Sequence, residues 1–424
     1  MPTSNTAQPT ATDADWPRWL PASAIAALIF VSFEPFADGS SVEGGNLVNQ
    51  IGFLLIGAAS IWMIATLSEV ARTALLRPAW IALALVLLFA VARADDPASS
   101  FRAALFSAIV VLAGGTVLSA LGSREDLGGW LVFTAGTTLA FCLVAVFLYP
   151  SVGVHDGSGY ESQHAGLWRG VYAHKNIASY VTGAFVVFGL FAARAGRPIA
   201  GLAVAAVALL FTMQSGSKTV LGVLPAAIAI GWLASRFRNG LLRAAIVTLP
   251  VAALMLATVG AALSPALNEI LQSIAPGTTF TGRLDLWKFT AEQIAREPQG
   301  YGFESFWTTP RVTGLEQPIE LSWDVRKIVH GHNSYLDAII AFGRWGALVV
   351  FWIVLVRPVW HFANMPAARD GMAGRLAQFH VTLWLFCAMG ACLESFFLRR
   401  ADPVWFTMVL ALFGLQIAYR RTRA

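Results

Sequence analysis

Residues 102–121 read RAALFSAIVVLAGGTVLSAL, and this stretch decides the fold class. Its only charged residue is Arg102. A helix of about 20 mostly apolar residues is long enough to cross the hydrocarbon core of a bilayer. Similar segments lie on both sides of it, and together they predict an all-α polytopic membrane protein with about twelve transmembrane helices. The predicted spans are 19–36, 47–67, 78–93, 102–121, 128–148, 177–193, 198–213, 218–235, 242–263, 334–356, 376–397 and 403–419.

The composition agrees with a membrane protein and excludes a soluble enzyme. Hydrophobic residues occupy 57% of the 424 positions and charged residues 12%, against roughly 25% charged residues in a soluble domain. The net charge of +5 does not indicate nucleic-acid binding, because the basic residues lie at the ends of apolar runs. Cys142, Cys387 and Cys392 lie inside apolar segments without a CxxC pair. We therefore expect neither a disulfide framework nor a zinc site.

The ends of the apolar runs predict the orientation of one integral membrane domain, residues 1–424. Residues 1–15 are small and polar, so we expect a disordered N-terminus before a retained first helix. Lys and Arg are retained in cytoplasmic loops, and every such loop is basic if both termini are cytoplasmic. These basic residues are Arg72, Arg77, Arg124, Arg194, Arg197, Arg236, Arg238, Arg243, Arg357, Arg369, Arg375, Arg420, Arg421 and Arg423. The outer turns carry Glu34, Asp38, Glu43, Asp95 and Asp96 instead.

This topology leaves two long segments outside the cytoplasm, 149–176 and 264–333. The second is far longer than the usual connection of about 4–6 residues, and such a loop is normally functional or disordered. Its aromatic content argues against disorder. Residues 283–297 predict an amphipathic helix with Leu284, Trp287, Ala291 and Ile294 on one stripe. The other aromatic residues of the loop are Phe280, Phe289, Phe303, Phe306, Trp307 and Trp323.

The first candidate binding cluster is WRGVYAHKN, residues 168–176, just before the sixth span. The fork of donors on Arg169 matches a phosphate bidentately. Lys175 adds a second positive charge at a helix N-terminus, where anions are favoured. The cluster therefore suits a diphosphate. It also fits a pair of interfacial side chains that contact lipid head groups.

The second cluster is TGR, residues 281–283, which opens the amphipathic helix. Thr281 is the expected N-cap. Arg283 then lies in the first turn, where the helix dipole favours an acid, so an anionic partner is indicated. The alternative is a surface salt bridge to Asp285 or Glu292.

The third cluster is HGHNSYLD, residues 330–337, which runs into the tenth span. A histidine side chain takes a proton near neutral pH, as activation of a sugar hydroxyl requires. His332 is the candidate base, with His330 as an accessory residue. Asn333 also fits a helix cap, with His332 as an ordinary interfacial residue. A zinc site made by His174, His330 and His332 lacks regular ligand spacing and is not expected.

A fourth, short segment is QSGSKT, residues 214–219. Lys218 is expected to point into the same outer vestibule. The segment otherwise has the composition of a turn with a helix cap.

Four segments resemble the O-antigen ligase and Wzy-type polymerase superfamily in order and spacing. They are RGVYAHKN (169–176), SGSKT (215–219), TGRLDLW with PQGYGF (281–287 and 298–303), and HNSYLDAIIAFGRWGAL (332–348). The resemblance implies a metal-independent, GT-C-like membrane glycosyltransferase without a cofactor. Its donor would be a glycan on undecaprenyl diphosphate, at the periplasmic face of a bacterial inner membrane.

Carried onto this chain, the resemblance implies that Arg169 and Arg283 hold the diphosphate, with Lys175, and that His332 is the base. His174, Asn176, Lys218, His330 and Asn333 are the expected accessory residues. The triplet 174–176 is most similar to exopolysaccharide polymerases, whose acceptor is another lipid-linked glycan. A ligase would use lipid A-core instead. Membrane lipids, a chain-length regulator and a flippase are the other expected partners, and nucleic acid is not.

A lipid-linked oligosaccharide transporter is the alternative of a different class. Transporters usually place functional charges at mid-membrane depth. Here Arg344 is the one charge expected deep in the bundle, with Asp337 and Glu394 near the outer ends of spans ten and eleven. A purely structural scaffold leaves the aromatic outer loop unexplained.

Overall fold

The computed structural model describes residues 19–36, 47–66, 72, 76–121, 124–157, 159–316 and 324–423. Three expectations lie outside these residues. They are the disordered N-terminus at 1–15, the acids Asp38 and Glu43 in the first outer turn, and Trp323 in the long loop.

Every predicted span contains a helix, and two further helices of ten or more residues lie between the ninth and tenth spans in the described part of the chain. We number them in chain order. They are α1 (Trp19–Val31), α2 (Leu47–Thr66), α3 (Pro78–Ala92), α4 (Pro97–Ala120), α5 (Arg124–Leu148), α6 (Lys175–Arg194), α7 (Pro198–Gln214), α8 (Lys218–Ala234), α9 (Gly240–Leu263), α10 (Pro265–Ile274), α11 (Arg283–Arg296), α12 (Ser334–Ala363), α13 (Met372–Gly390) and α14 (Pro403–Arg421). Within the described ranges the only β geometry is one bridge between Val154 and Trp168.

The helices are those of a multi-pass membrane protein. Among the described residues, seven are long and apolar enough to cross a bilayer: α2, α4, α5, α6, α9, α12 and α14. Four shorter apolar helices, α1, α3, α7 and α8, accompany them. The number of twelve crossings and the cytoplasmic position of both termini stay predictions.

Several helices begin at a capping residue that is followed by proline. Asp96 accepts hydrogen bonds from the backbone N–H groups of residues 98 and 99, and Pro97 begins α4. Asp402 does the same for α14, where Pro403 is the first residue. A carboxylate cap satisfies N–H groups that the helix leaves unpaired, and proline lacks the N–H that would otherwise be exposed.

Helices α6 and α14 form the centre of the bundle. Helix α6 packs against α5, α7 and α13, and α14 packs against α13. Small residues permit the closest approach. A Cβ atom on Gly189 of α6 would lie 2.5 Å from the carbonyl oxygen of Gly201 on α7. Membrane helices use such positions because close backbone packing replaces the hydrophobic driving force that is absent in lipid.

The long loop is ordered and partly helical where the structure describes it. The predicted helix 283–297 is observed as α11, from Arg283 to Arg296. The predicted N-cap Thr281 is wrong, because Gly282 occupies the cap position with φ +80° and no side chain caps the helix. Of the predicted stripe only Trp287 is fully buried, whereas Leu284, Ala291 and Ile294 are partly buried. Leu286 and Phe289 are buried with Trp287.

Helix α12 is interrupted at Gly343, whose φ of 66° and ψ of 177° leave the helical region. The segment 298–301 fills the gap. The N–H of Arg344 donates to Pro298, and the carbonyl of Ile340 accepts from Tyr301. A Cβ atom on Gly343 would lie 2.3 Å from the Gln299 backbone. Arg344 itself is exposed beside this junction. The expectation that it lies deep in the bundle is therefore wrong.

The eleventh predicted span ends too late. Residues 376–397 read as one apolar run, but α13 ends at Gly390 and the chain continues as an irregular segment to Asp402. Glu394 lies in this segment and is 8% exposed. It is therefore buried among loops at the end of the bundle and is not part of a helix.

Replacement of Gly343 by alanine should lower the free energy of unfolding by roughly 1–3 kcal/mol from the backbone conformation alone. The loss should be larger in total, because a Cβ atom also collides with the inserted segment. Thermal unfolding in detergent measures the effect. Gly222→Ala is the control, because nothing lies within 4 Å of that position and alanine is favourable in a helix. Equal stability of the two variants would contradict the proposed junction.

Candidate functional site

The candidate site is organised around the carboxylate of Glu394. Its Oε1 accepts hydrogen bonds from Arg283 Nη2 at 2.8 Å and from Asn176 Nδ2 at 2.8 Å. Its Oε2 lies 3.0 Å from His332 Nδ1. One buried acid therefore joins the start of α6, the start of α11 and the loop before α12. We call Asn176, Arg283, His332 and Glu394 the carboxylate hub.

The segment that carries Glu394 is bonded to the residues that follow His332. Asn333 Nδ2 donates to the Cys392 carbonyl at 2.9 Å, and the Asn333 N–H donates to Ser395 Oγ at 3.0 Å. Ser334 Oγ donates to the Glu394 carbonyl at 2.8 Å. These bonds fix the carboxylate relative to the histidine. Asn333 is also the N-cap of α12, so the capping alternative for this residue is confirmed.

His332 is held in an unusual backbone conformation, with φ +49°. Such a conformation costs about 1–3 kcal/mol in a residue other than glycine and is common at functional sites. Trp287 Nε1 holds the preceding Gly331 through its carbonyl at 3.1 Å. The Asp337 carboxylate accepts from the Gly331 N–H at 3.0 Å and from Trp307 Nε1 at 2.8 Å. Asp337 therefore shapes the loop that presents His332.

The charges of the hub favour an ionised Glu394. Burial by itself would raise the pKa of this carboxyl, but Arg283 and His332 outweigh burial and hold the pKa well below its ordinary value. An ionised carboxylate only accepts hydrogen bonds, so His332 must carry its proton on Nδ1. The unprotonated nitrogen is then Nε2, the atom that can act as a base.

His330 packs against His332, with 4.2 Å between ring centroids, and its Nδ1 accepts from the His332 N–H at 3.3 Å. Burial lowers the pKa of His330 well below its ordinary value, and His332 and Arg399 lower it further. His330 is therefore neutral near pH 7 and supports the ring of His332 without adding charge.

Arg283 makes a contact that sequence spacing did not indicate. Its guanidinium pairs with Glu394, as described, and also donates to the Leu393 carbonyl. The side-chain exposures of Arg283 and Glu394 are 17% and 10%. The alternative of a surface pair with Asp285 or Glu292 is therefore not what the structure shows.

The first outer segment reaches the hub through Asn176. Three of the five N–H groups of Arg169 donate to carbonyl oxygens, those of Val152 at 2.8 Å, Ser151 at 3.0 Å and Ala173 at 3.4 Å. Two N–H groups stay available to an anion. The guanidinium is thus fixed by the loop before any ligand binds.

The neighbouring basic and accessory residues take structural positions. Lys175 is buried, and its backbone N–H donates to His155 Nε2 at 3.1 Å. His174 caps α6 by accepting from the Asn176 N–H at 3.1 Å. Lys218 is exposed at the start of α8, and its side chain is not among the contacts of the hub.

A metal could be considered at His330, His332 and Glu394, whose potential ligand atoms lie within 4.8 Å of one another. His174, which the zinc alternative included, instead packs against His155 and His164. Both oxygens of Glu394 already accept hydrogen bonds, and Arg283 places a positive charge at 2.8 Å. A cation here would replace the proton between His332 Nδ1 and Glu394 Oε2 and would lie close to the positive charge of Arg283, which disfavours a metal.

Two cavities flank the hub. An apolar groove of about 1190 Å³ runs along α9 and α12, and includes Met255, Ile294, Tyr335 and Trp384. It reaches the hub where Asn333 Nδ2 contacts Met255 Sδ at 3.8 Å. Residues at both ends of α9 line the groove, and a helix of this length spans about 36 Å.

The second cavity has a volume of about 500 Å³ and lies on the side of His330. Asp337, Ser395, Arg399 and Arg400 line it beside the histidine, together with apolar residues such as Phe303, Phe306 and Phe397. We call it the polar cavity for its charged side chains. The hub therefore lies beside an apolar groove and the polar cavity, an arrangement that suits a lipid-linked molecule and a hydrophilic one.

Residues 200–351 match the family described as O-antigen ligase. This match supports membership of the O-antigen ligase superfamily. The matched segment contains Arg283, His332 and the broken part of α12, so the resemblance noted in the sequence is confirmed. No curated protein matches the chain.

The superfamily match covers only part of the carboxylate hub. Asn176 and Glu394 lie outside residues 200–351. Sequence reasoning placed Glu394 at the end of a span and gave it no role. A charged residue inside an otherwise apolar run was the available signal, because such residues are costly in a membrane unless they pair.

Removal of one partner should reveal the coupling between Arg283 and Glu394. Each of Arg283→Gln and Glu394→Gln should cost about 3–5 kcal/mol of stability, because the remaining charge is buried without its partner. The double variant should cost less than the sum of the two. Unfolding of all four proteins in detergent gives the coupling energy.

The matched control is the exposed pair Arg311–Asp95, with side-chain exposures of 45% and 43%. Arg311→Gln should cost no more than about 1 kcal/mol. Additive effects of the Arg283 and Glu394 changes would show that the hub does not hold these elements together.

Proposed function

We propose that the protein is a metal-independent membrane glycosyltransferase that polymerises a glycan carried on undecaprenyl diphosphate. The observation that carries this proposal is the pairing of His332 Nδ1 with an ionised Glu394, which leaves Nε2 as a base. The superfamily and the two cavities beside the hub support a reaction between a lipid-linked donor and a hydrophilic acceptor.

The donor occupies the apolar groove with its polyprenyl chain. The groove passes Met255, which contacts Asn333 next to His332 of the hub. The diphosphate then lies near Arg283. Arg169 and Lys175 contribute further positive charge from the first outer segment. Fixed cations aimed at a leaving group stabilise the negative charge that develops on it in the transition state. This is the role that a divalent metal has in other glycosyltransferases.

The acceptor hydroxyl reaches His332 from the polar cavity. It attacks the anomeric carbon while its proton passes to His332 Nε2. The bond from the anomeric carbon to the phosphate oxygen breaks, and the lipid diphosphate leaves with the electron pair. Glu394 orients the imidazole and stabilises the imidazolium that forms, as the acid of a catalytic triad does.

A ligase that uses lipid A-core as the acceptor is the second candidate. The description of the matched family as O-antigen ligase favours it. The triplet 174–176 favours the polymerase. In either case the site faces the periplasm of a bacterial inner membrane and both termini are cytoplasmic, because the basic loops then lie inside.

Replacement of His332 by alanine should lower the rate of glycan transfer roughly 10²–10⁴-fold, as loss of a general base does. The assay uses purified protein in detergent with a lipid-linked repeat unit, and measures product length on a gel. Donor binding should be little changed. Lys288→Gln, on the exposed face of α11, is the control and should keep full activity.

Wild-type rates in the variant would refute His332 as the base. Products that form from lipid-linked repeat units alone identify a polymerase. Products that require lipid A-core identify a ligase. Movement of the donor across a vesicle membrane without a new glycosidic bond would favour the transporter.

A chelator should leave the transfer rate unchanged, since Arg283 supplies the positive charge beside Glu394 that a metal would otherwise provide. The measurement compares initial rates with and without EDTA. A loss of activity that added Mg²⁺ or Zn²⁺ restores would overturn the metal-independent mechanism.

A further inference from the structure

A third cavity, also lined by basic residues, lies at the opposite end of the bundle from the carboxylate hub. It has a volume of about 540 Å³. Asn176 of the hub is at the start of α6, whereas Arg194 of this cavity is the last residue of that helix. Twenty residues of helix separate the two ends by about 30 Å. We call this cavity the arginine pocket.

Four arginines from different elements line the arginine pocket: Arg194, Arg236, Arg369 and Arg375. The lining residues whose side chains the structure describes include no acid. Among those side chains, which exclude that of Asp370, no carboxylate pairs with Arg236, Arg369 or Arg375. Three positive charges therefore surround one concavity.

A backbone hydrogen bond brings the segments that carry Arg236 and Arg369 together. The N–H of Ala368 donates to the Ser235 carbonyl at 2.9 Å, which joins the turn at 368–370 to the end of α8. Arg236 is further positioned over the ring of Trp232, with its Cζ 4.3 Å from the ring centroid. The tertiary structure therefore positions Arg236 beside the turn that carries Arg369.

Apart from Gln378 and Thr382, the rest of the lining is apolar. It includes Leu190, Phe191, Ile228 and Phe379, and Trp232 at 46% exposure opens towards the surroundings of the bundle. A soluble anion would leave these apolar side chains uncovered. An amphiphile fits the pocket better, because its phosphate contacts the arginines while its hydrocarbon covers the apolar side chains.

We propose that the arginine pocket binds the phosphate head group of an anionic phospholipid from the leaflet opposite the carboxylate hub. The shape, the charge and the apolar wall together select a lipid. The site is separate from the proposed glycan transfer, and it stands even if that function is wrong.

The test measures the binding of phosphatidylglycerol and of phosphatidylcholine with the same acyl chains to the purified full chain, by native mass spectrometry. The wild type should prefer phosphatidylglycerol. The double variant Arg369→Gln with Arg375→Gln should bind phosphatidylglycerol roughly thirtyfold more weakly, from the usual contribution of two basic residues near anionic lipid. Phosphatidylcholine binding should not change.

The matched control is Arg77→Gln with Arg423→Gln, which removes the same charge from exposed positions outside the pocket. It should keep the preference. Ile228→Trp fills the pocket without altering charge and should abolish the preference.

Three results would overturn the proposal. The first is a wild type without preference for phosphatidylglycerol. The second is an equal loss in the control variant, which would indicate a general surface effect. The third is stabilisation against heat by inorganic phosphate in lipid-free detergent that equals stabilisation by phosphatidylglycerol, which would identify a soluble ligand.

Discussion

The buried carboxylate of Glu394 is the interaction on which the arrangement of the site depends. It accepts hydrogen bonds from Asn176 and Arg283 and orients His332. These residues come from segments that are far apart in sequence. A buried acid of this kind is tolerable only when its partners neutralise it. Because burial of Glu394 without its partners would be costly, the loops that carry these partners must meet at the carboxylate.

The loops around the hub are rigid because their backbone groups are bonded to helices. The segment 298–301 completes the hydrogen bonds that α12 loses at Gly343. Trp287 and Asp337 hold Gly331, next to the candidate base. Fixed loops of this kind suit the proposed reaction, since little reorganisation is then needed. The long loop, where the structure describes it, is thus a structured part of the bundle.

Positive charge is used differently at the two ends of the bundle. At the hub, Arg283 has a carboxylate partner and fixed geometry. In the arginine pocket, Arg369 and Arg375 face a cavity without a carboxylate partner among the described side chains. The first arrangement suits a charge that develops during a reaction, and the second suits a ligand that is already anionic. Both ends of α6 are therefore charged regions with separate roles.

The apolar runs by themselves determined the helices, because about 20 apolar residues must satisfy their backbone groups within the membrane. Local chemistry also placed α11 and the cap at Asn333, and the motifs indicated Arg283 and His332. Only the tertiary structure revealed the partner of these two residues. Glu394 lies in a run that reads as helix, and its burial depends on loops that are distant in sequence. Sequence patterns record the spacing along one element, whereas an ion pair depends on which elements meet.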